Sequence, residues 1–265
     1  MTKLTIMITG ASRGIGLATA KKLAKQGHSL ALFDIDTDTL GSALTDKVFK
    51  KAHKAKRIVQ GHLDVTSPED WDSALEHTVE HLGGIDVLIN NAGILVSGEL
   101  PKTELEQQLK LVDINCNGVL IGCHKAAQRL KGDKYSKIIN LSSASAIYGQ
   151  SEIAPYSASK FFVRGLTEAL NIEYAALGIK VVDVMPLWVN SNLTKGVEVT
   201  SIKRLGINLK PEDVANTINK LVSKPNNRVN KPHYAVGMPA KLLNSVAQVS
   251  PEFLVRSINK MVGVK

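Results

Sequence analysis

Residues 4–16 read LTIMITGASRGIG, a short apolar strand that runs into a glycine-rich turn and then into a helix. The turn has the spacing Gly-x-x-x-Gly-x-Gly, formed by Gly10, Gly14 and Gly16. Glycines here permit a tight bend, let the backbone approach a pyrophosphate and let helix and strand pack closely. The N–H groups that open the helix attract phosphate. The stretch predicts a dinucleotide site, with an ordinary strand-to-helix turn as the alternative.

The rest of the chain alternates apolar strands with helical stretches. Strands are expected at 4–8, 29–33, 85–89, 137–141, 179–185 and 233–236, and helices at 14–26, from Ser67, over 155–177 and from Pro211. Continuous apolar strands separated by helices favour a parallel sheet covered on both faces. We therefore predict an α/β fold with a doubly wound, Rossmann-like parallel sheet. No linker or repeat interrupts the pattern, so residues 1–265 should form a single domain.

The composition argues against several other classes of protein. The chain has 265 residues, of which 44% are hydrophobic and 22% charged, which suits a folded domain with a large core. Its net charge is +9, and its densest basic stretch, residues 47–57, is expected to be a solvated helix face. Nucleic-acid readers interleave aromatic residues, and Phe49 is the only one nearby, so no nucleic-acid partner is predicted. No apolar run is long enough to span a membrane.

The two cysteines, Cys116 and Cys123, lie seven positions apart on a predicted helix. Two helical turns separate them by roughly 10 Å, too far for a disulfide, so both are predicted to be buried thiols. No spacing typical of a metal site occurs, and no metal is expected. The N-terminal residues do not resemble a signal peptide, and a cytoplasmic location is predicted.

Six motifs make the sequence resemble the short-chain dehydrogenase/reductase family. They are Thr9 to Gly16, Asp64-Val65, Asn90-Asn91-Ala92-Gly93, Asn115, Ser143 and Tyr156-Ser157-Ala158-Ser159-Lys160. The resemblance runs from residue 3 to about 191. It implies an oxidoreductase that transfers a hydride between NAD(P)(H) and a carbonyl or secondary alcohol of a small molecule.

The resemblance also implies which residues bind the dinucleotide. Asp64 and Val65 would flank the adenine, and Ser191 would meet the nicotinamide carboxamide. Leu187 stands where the family usually has glycine, which changes the loop after the sixth strand. The full expected set is Gly10, Ser12, Arg13, Gly14, Ile15, Gly16, Asp34, Asp64, Val65, Asn91, Ala92, Gly93, Tyr156, Lys160, Pro186, Val189 and Ser191.

Tyr156 and Lys160 are four residues apart, which places both side chains on one face of a helix. An ammonium about 4 Å from a phenol contributes about 4 kcal/mol at an effective dielectric near 20, enough to lower a tyrosine pKa by two to three units. By resemblance, Tyr156 is the acid and base, and Lys160 also binds the nicotinamide ribose. Ser143, rather than Ser142, would hold the substrate oxygen, and Asn115 would hold a water that relays the proton.

The choice between NAD and NADP depends on two residues of opposite charge. Asp34 ends the second strand, where a carboxylate accepts hydrogen bonds from the adenosine ribose and repels a 2′-phosphate. Arg13 could instead pair with that phosphate, pair with Asp34 or face solvent. The position of Asp34 favours NAD, and NADP is the alternative.

Residues 190–208 are expected to form a substrate lid, and residues 240–263 an amphipathic segment that closes the pocket, joins a partner subunit or touches a membrane surface. Ile147, Trp188 and Leu193 are candidate pocket walls, which suggests an apolar substrate. The resemblance implies a homodimer or homotetramer formed through the helices that begin near Asn115 and Pro155. The alternative functions are an NADPH-dependent 3-oxoacyl ketoreductase, a sugar-nucleotide epimerase or dehydratase, and a nonenzymatic NAD-binding regulator.

Overall fold

A computed structural model describes residues 2–249 together with residues 256, 257 and 260. Within these residues, seven parallel strands form one sheet in the order β3-β2-β1-β4-β5-β6-β7. The order reverses between β1 and β4, and ligands of doubly wound sheets bind at such a switch point. The strands are β1 (Thr5–Thr9), β2 (Ser29–Asp34), β3 (Ile58–His62), β4 (Val87–Asn90), β5 (Lys137–Leu141), β6 (Lys180–Pro186) and β7 (His233–Val236).

Helices cover both faces of the sheet, which confirms the predicted doubly wound α/β fold. Ile6 and Ile8 of β1 pack in one apolar cluster with residues of α1, α2 and α9, whereas Met7 packs with α4, α6 and α7 on the other face. The helices are α1 (Gly14–Lys25), α2 (Thr37–Leu44), α3 (Lys50–Lys54), α4 (Pro68–Leu82), α5 (Leu105–Val112), α6 (Gly118–Ala127), α7 (Ala154–Glu173), α8 (Thr200–Leu205), α9 (Pro211–Ser223) and α10 (Met238–Val249).

The sequence pattern did not reveal strand β3. This strand lies at the edge of the sheet, is only partly buried and contains Gln60 and Gly61, so it lacks a continuous apolar run. In the basic stretch before β3, the α-helix is shorter than predicted, because a 3₁₀ turn at Lys47–Phe49 precedes α3. Its lysines are exposed while Phe49 is buried, as expected of a solvated face.

The segment that carries both cysteines is not one continuous α-helix. A π-turn at Asp113–Asn117 joins α5 to α6 and contains Cys116. Both cysteines are free and buried, which confirms the predicted thiols. Burial raises the pKa of Cys123 to about 12, so this thiol stays protonated at neutral pH.

The sequence singled out two further segments, an expected lid and an expected amphipathic segment. The expected lid, residues 190–208, is a series of turns followed by α8. Of the expected amphipathic segment 240–263, the structure describes the part in α10 and residues 256, 257 and 260, and the rest lies outside the described residues. Among the described residues, no helix is long and apolar enough to cross a membrane.

Candidate active site

The glycine turn packs directly against the loop after β4. Gly10 has a φ of +64°, and a Cβ there would lie 2.9 Å from the Cα of Ala92. A Cβ on Gly16 would collide with the carbonyl of Gly10 and lie 2.7 Å from Nδ2 of Asn91. Only glycine therefore fits either position without displacing backbone, which is why the chain bends so tightly between β1 and α1.

The N-terminus of α1 is open to an anion. Its first residues receive no side-chain cap and include no acidic residue. By contrast, Asp36 caps α2 and Ser67 caps α4. The uncapped N–H groups and the helix dipole of α1 thus remain available for phosphate. They border a cleft of about 1150 Å³ lined by Gly10, Ser12, Arg13, Ile15, Asp34, Asp64, Val65, Asn91, Ala92, Gly93 and Ser191, among others.

The carboxylate of Asp34 is fixed at the edge of this cleft by two backbone donors. It accepts hydrogen bonds from the N–H of Ser12 at 2.9 Å and from the N–H of Asp36 at 3.1 Å. Arg13 forms an ion pair with Asp36 instead of Asp34. Hydrogen bonds from Thr39 at the start of α2, and then the Arg13 guanidinium, hold the pKa of Asp36 below its usual value. Asp36 was not identified from the sequence as the partner of Arg13. Its position two residues after the end of β2 places it at the same edge of the sheet as the glycine turn.

The loop after β4 is fastened to the glycine turn by Thr9 and Asn91. The hydroxyl of Thr9 accepts hydrogen bonds from the N–H groups of Asn91 and Ala92, each at 3.1 Å. Nδ2 of Asn91 donates to the carbonyl of Gly10 at 2.9 Å. These bonds hold the two loops that border the cleft in one rigid arrangement.

A second cavity, of about 710 Å³, adjoins the first at the carboxyl edge of the sheet. Ser143, Tyr156 and Lys160 all line it. It shares wall residues with the dinucleotide cleft, so the two spaces are continuous; the shared residues are Ile15, Asn91, Gly93, Ser191 and Leu193. Pro186 and Val189 also lie in this wall, whereas Gly14, Gly16 and Asn115 line neither space.

Burial dominates the electrostatics of Tyr156 and Lys160. Burial raises the pKa of Tyr156 to about 12, opposed by its hydrogen bond with Ser143. Burial likewise lowers the pKa of Lys160 to about 8. The expected lowering of the tyrosine pKa is therefore wrong. The ammonium of Lys160 lies 5.5 Å from the ring centroid of Tyr156 and donates to the carbonyl of Leu141 at 2.9 Å.

Both serines after β5 line the cavity, although a strand would turn only one of them inward. Strand β5 ends at Leu141, so the alternation of faces does not extend to Ser142 and Ser143. The buried hydroxyl of Ser142 donates to the carbonyl of Lys160 at 3.2 Å and ties α7 to the sheet. Ser143 begins the 3₁₀ turn Ala144–Ala146 and is the serine that contacts Tyr156.

The amide of Asn115 is occupied by protein groups. It accepts a hydrogen bond from the N–H of Ile94 and donates to the carbonyl of Ile94, each at 2.9 Å. It also donates to the hydroxyl of Ser159 in α7 at 3.2 Å. These contacts join the π-turn, the loop after β4 and the tyrosine-bearing helix.

The loop after β6 is held without the glycine that the family usually has. The hydroxyl of Thr194 donates to the carbonyl of Val189 at 2.7 Å and accepts from the N–H of Ser191 at 3.3 Å. Trp188 and Leu193 line the cavity as expected. Ile147 does not, because it packs in a separate apolar cluster with residues of α10.

An open helix N-terminus beside a cavity lined by Ser143, Tyr156 and Lys160 is the arrangement expected of a dinucleotide-dependent oxidoreductase. The sequence profile of the family described as short chain dehydrogenase matches residues 4–201. The chain belongs to this family. It is therefore an NAD(P)-dependent dehydrogenase or reductase that interconverts a carbonyl and an alcohol.

Named relatives and a solved structure agree with this assignment. L-2,3-butanediol dehydrogenase of Corynebacterium glutamicum is 35% identical over 84% of this chain and 93% of its own length. The 3-alpha-(or 20-beta)-hydroxysteroid dehydrogenase of Mycobacterium bovis is 32% identical over 82% of this chain and 81% of its own length. The 3-ketoacyl-(acyl-carrier-protein) reductase of Brucella melitensis, solved with NADH, superposes with a TM-score of 0.80 at 26% identity, covering 89% and 98% of the two chains.

Proposed function

We propose that the chain is an NAD-dependent dehydrogenase of small apolar secondary alcohols and the corresponding ketones. The observation that carries the proposal is the contact between Tyr156 and Ser143 in a cavity continuous with the cleft at the glycine turn. A ketone in that cavity would meet a proton donor on one side and the end of the dinucleotide cleft on the other.

Each polar residue of the cavity has a proposed role in proton movement. A nicotinamide dinucleotide, when bound, supplies or accepts the hydride. Tyr156, whose pKa of about 12 keeps the phenol protonated at neutral pH, gives its proton to the carbonyl oxygen during reduction. Ser143 holds that oxygen beside the phenol. During alcohol oxidation the phenol must be ionised, and the charge of Lys160 and the Ser143 hydrogen bond stabilise the phenolate.

Asn115 is proposed as a positioning residue. Its bonds to Ile94 and Ser159 join the cleft wall to α7 one turn from Tyr156. The cofactor roles expected from the sequence are proposed for the residues that line the cleft. Gly14 and Gly16 are proposed to shape the turn instead, because neither lines the cleft.

The preference for NAD is supported by two carboxylates. Asp34 lines the cleft with its carboxylate fixed by backbone donors, where a ribose hydroxyl could add a further hydrogen bond. Asp36 holds Arg13, the nearby cation that could otherwise attract a 2′-phosphate. Both residues therefore oppose NADP, one by repulsion and one by occupying the arginine.

Asp34→Ala is expected to narrow the preference for NAD over NADP by about tenfold, the effect of losing one charge-assisted hydrogen bond. Adding Asp36→Ala releases Arg13 and should move the ratio further toward NADP. The measurement is kcat/KM for NADH and NADPH with one ketone. Asp38→Ala, an exposed acidic residue on α2, is the matched control. An unchanged ratio in the double variant would remove both acids from cofactor selection.

The proposed apolar substrate is supported by the cavity wall, where Leu95, Ile153, Leu187, Trp188 and Leu193 surround the catalytic group. A 3-oxoacyl ketoreductase is the second candidate, favoured by the structural similarity to the Brucella melitensis enzyme. A panel of ketones and one 3-oxoacyl thioester, followed by NADH and NADPH absorbance, separates the two. Dinucleotide binding with no turnover of any panel member would instead favour a nonenzymatic regulator.

We also propose a homodimer or homotetramer formed through α5, α6 and α7. Support comes from exposed apolar side chains on these helices, namely Leu105, Leu109, Val112, Leu120, Phe161, Phe162 and Ile172. The free thiols are compatible with the proposed cytoplasmic location. Residues 190–208, part of which lines the cavity, are proposed as the substrate lid of a single domain.

A further inference from the structure

The second half of the expected lid lies between two glycines in left-handed backbone. Gly196 has a φ of +77° and Gly206 has a φ of +71°. The residues between them, 197–205, include α8 and are called the lid segment below. Glycine adopts left-handed backbone without steric cost, so the two glycines can absorb the backbone rotation of a hinge at either end of the segment.

The lid segment is docked against the wall of the substrate cavity. Val199 is buried in the apolar cluster that contains Tyr156 and Ile153. The hydroxyl of Ser201, also buried, donates to Oε1 of Gln150 at 3.3 Å. Gln150, Ile153 and Tyr156 line the cavity, whereas residues 197–205 do not. The lid segment therefore packs behind the residues that form the wall.

Glu152 connects this segment to the chain that leads into α7. Its carboxylate accepts a hydrogen bond from the N–H of Thr200, the first residue of α8, at 2.6 Å. Its backbone carbonyl accepts one from the N–H of Gly98, in the loop after β4, at 2.7 Å. Hydrogen bonds to a carboxylate are roughly twice as strong as neutral ones. Glu152 thus holds the start of α8 four residues before Tyr156.

The backbone of Glu152 is in a conformation that is unfavourable for a residue with a side chain. Its φ is +63°, and Lys56 is the only other non-glycine residue with a positive φ in the part of the chain that the structure describes. Such backbone persists where surrounding contacts fix it, and it is concentrated at ligand clamps and switches. Glycine would fit this backbone better but has no carboxylate. The bond to Thr200 is therefore a reason for glutamate at this position.

We infer that Glu152 is a positioning residue that latches the lid segment against the cavity wall. Release of the bond to Thr200 lets the segment swing about Gly196 and Gly206, so that substrate and product exchange. Loss of the latch lowers the closed fraction and with it the apparent affinity for substrate, while the reacting groups stay unchanged in the closed state. The effect on turnover rests on the proposed function, whereas the motion of the segment does not.

Trypsin cleavage within the lid segment tests the latch without any substrate. Lys203 and Arg204 are exposed on α8. Glu152→Gly should speed cleavage at these two sites about tenfold, because loss of one charge-assisted hydrogen bond favours the open segment by about that factor. Glu152→Gln keeps an oxygen that can accept from Thr200, and cleavage should stay within about threefold of the wild-type rate. Lys56→Gly is the matched change at the other left-handed position and should leave cleavage at both sites unchanged.

Kinetics with a ketone that the enzyme reduces test the effect on the site. Glu152→Gly should raise KM for the ketone about tenfold and leave kcat within about threefold of wild type. The Kd for NADH should also stay within about threefold, because neither Glu152 nor the lid segment lines the dinucleotide cleft. The free energy of unfolding should not fall, since glycine relieves the left-handed backbone.

The outcomes separate the latch from the proposed function. Unchanged cleavage in Glu152→Gly would overturn the latch, as would a joint loss of stability, NADH binding and kcat, which indicates a general structural role. Faster cleavage with an unchanged KM would overturn the positioning of substrate by Glu152. Predicted cleavage in a protein that reduces no ketone with NADH or NADPH would overturn the proposed function and leave the latch in place.

Discussion

Tyr156→Phe is expected to lower kcat by about 10³-fold while the Kd for NADH stays within about threefold of the wild-type value. The substitution removes the phenol proton that the reaction needs. It retains the ring, which is buried in the apolar cluster with Trp188 and Ile153. The wall of the dinucleotide cleft does not include Tyr156, so binding should persist. The measurements are kcat from NADH oxidation with a turned-over ketone and Kd from NADH fluorescence.

Tyr135→Phe is the matched control for this loss. Tyr135 precedes β5 and does not line the cavity, and its hydroxyl accepts a hydrogen bond from Thr2. We expect normal kcat and Kd in this variant. Retained turnover in Tyr156→Phe would contradict the proposed acid and base. Lost NADH binding in a folded variant would contradict the placement of Tyr156 outside the wall of the dinucleotide cleft.

Gly16→Ala is expected to weaken NADH binding by about 10- to 100-fold, corresponding to about 1–3 kcal/mol of overpacking. The added Cβ would collide with the carbonyl of Gly10, which must move away. That carbonyl accepts a hydrogen bond from Asn91, so the shift disturbs the loop after β4 as well. Binding should therefore suffer through the geometry of the turn, although Gly16 does not line the cleft.

Gly41→Ala on α2 adds the same methyl group, but it is expected to stabilise the protein and not to weaken NADH binding. Apart from its chain neighbours and the backbone of its own helix, no atom lies within 4 Å of a Cβ at this position, so alanine should stabilise the fold by roughly 0.5–1 kcal/mol and leave NADH binding unchanged. Denaturant unfolding and NADH titration of both variants would test the pair. Normal NADH binding in Gly16→Ala would contradict this prediction, because it would show that the backbone of Gly10 can move away from residue 16 without harm to the site.

The sequence predicted the main layers and the place of the site, because the relevant signals are local. The glycine turn lies where one strand meets one helix, and Tyr156 and Lys160 share one helix face. Strand β3 escaped prediction because an edge strand needs no continuous apolar run. The partner of Arg13 escaped because Asp36 meets it only after β2 and the glycine turn come together.

The depth of burial of Tyr156 and Lys160 could not be predicted from the sequence either. A four-residue spacing indicates that Lys160 can approach Tyr156, but it does not say how deeply either side chain is buried. In the folded protein, burial moves the pKa values of Tyr156 and Lys160 to about 12 and about 8. The contacts of Asn115 with Ile94 depend likewise on how the π-turn meets the loop after β4.

Hydride transfer at this cavity can be observed directly with NADH deuterated at C4 of the nicotinamide. The wild-type enzyme would be incubated separately with the 4R- and 4S-labelled cofactors and a ketone that it reduces, and the product alcohol analysed by mass spectrometry and NMR. We predict deuterium on the carbinol carbon from one of the two cofactors, and almost no labelled product with Tyr156→Phe. An alcohol that carries deuterium from neither cofactor would contradict the account.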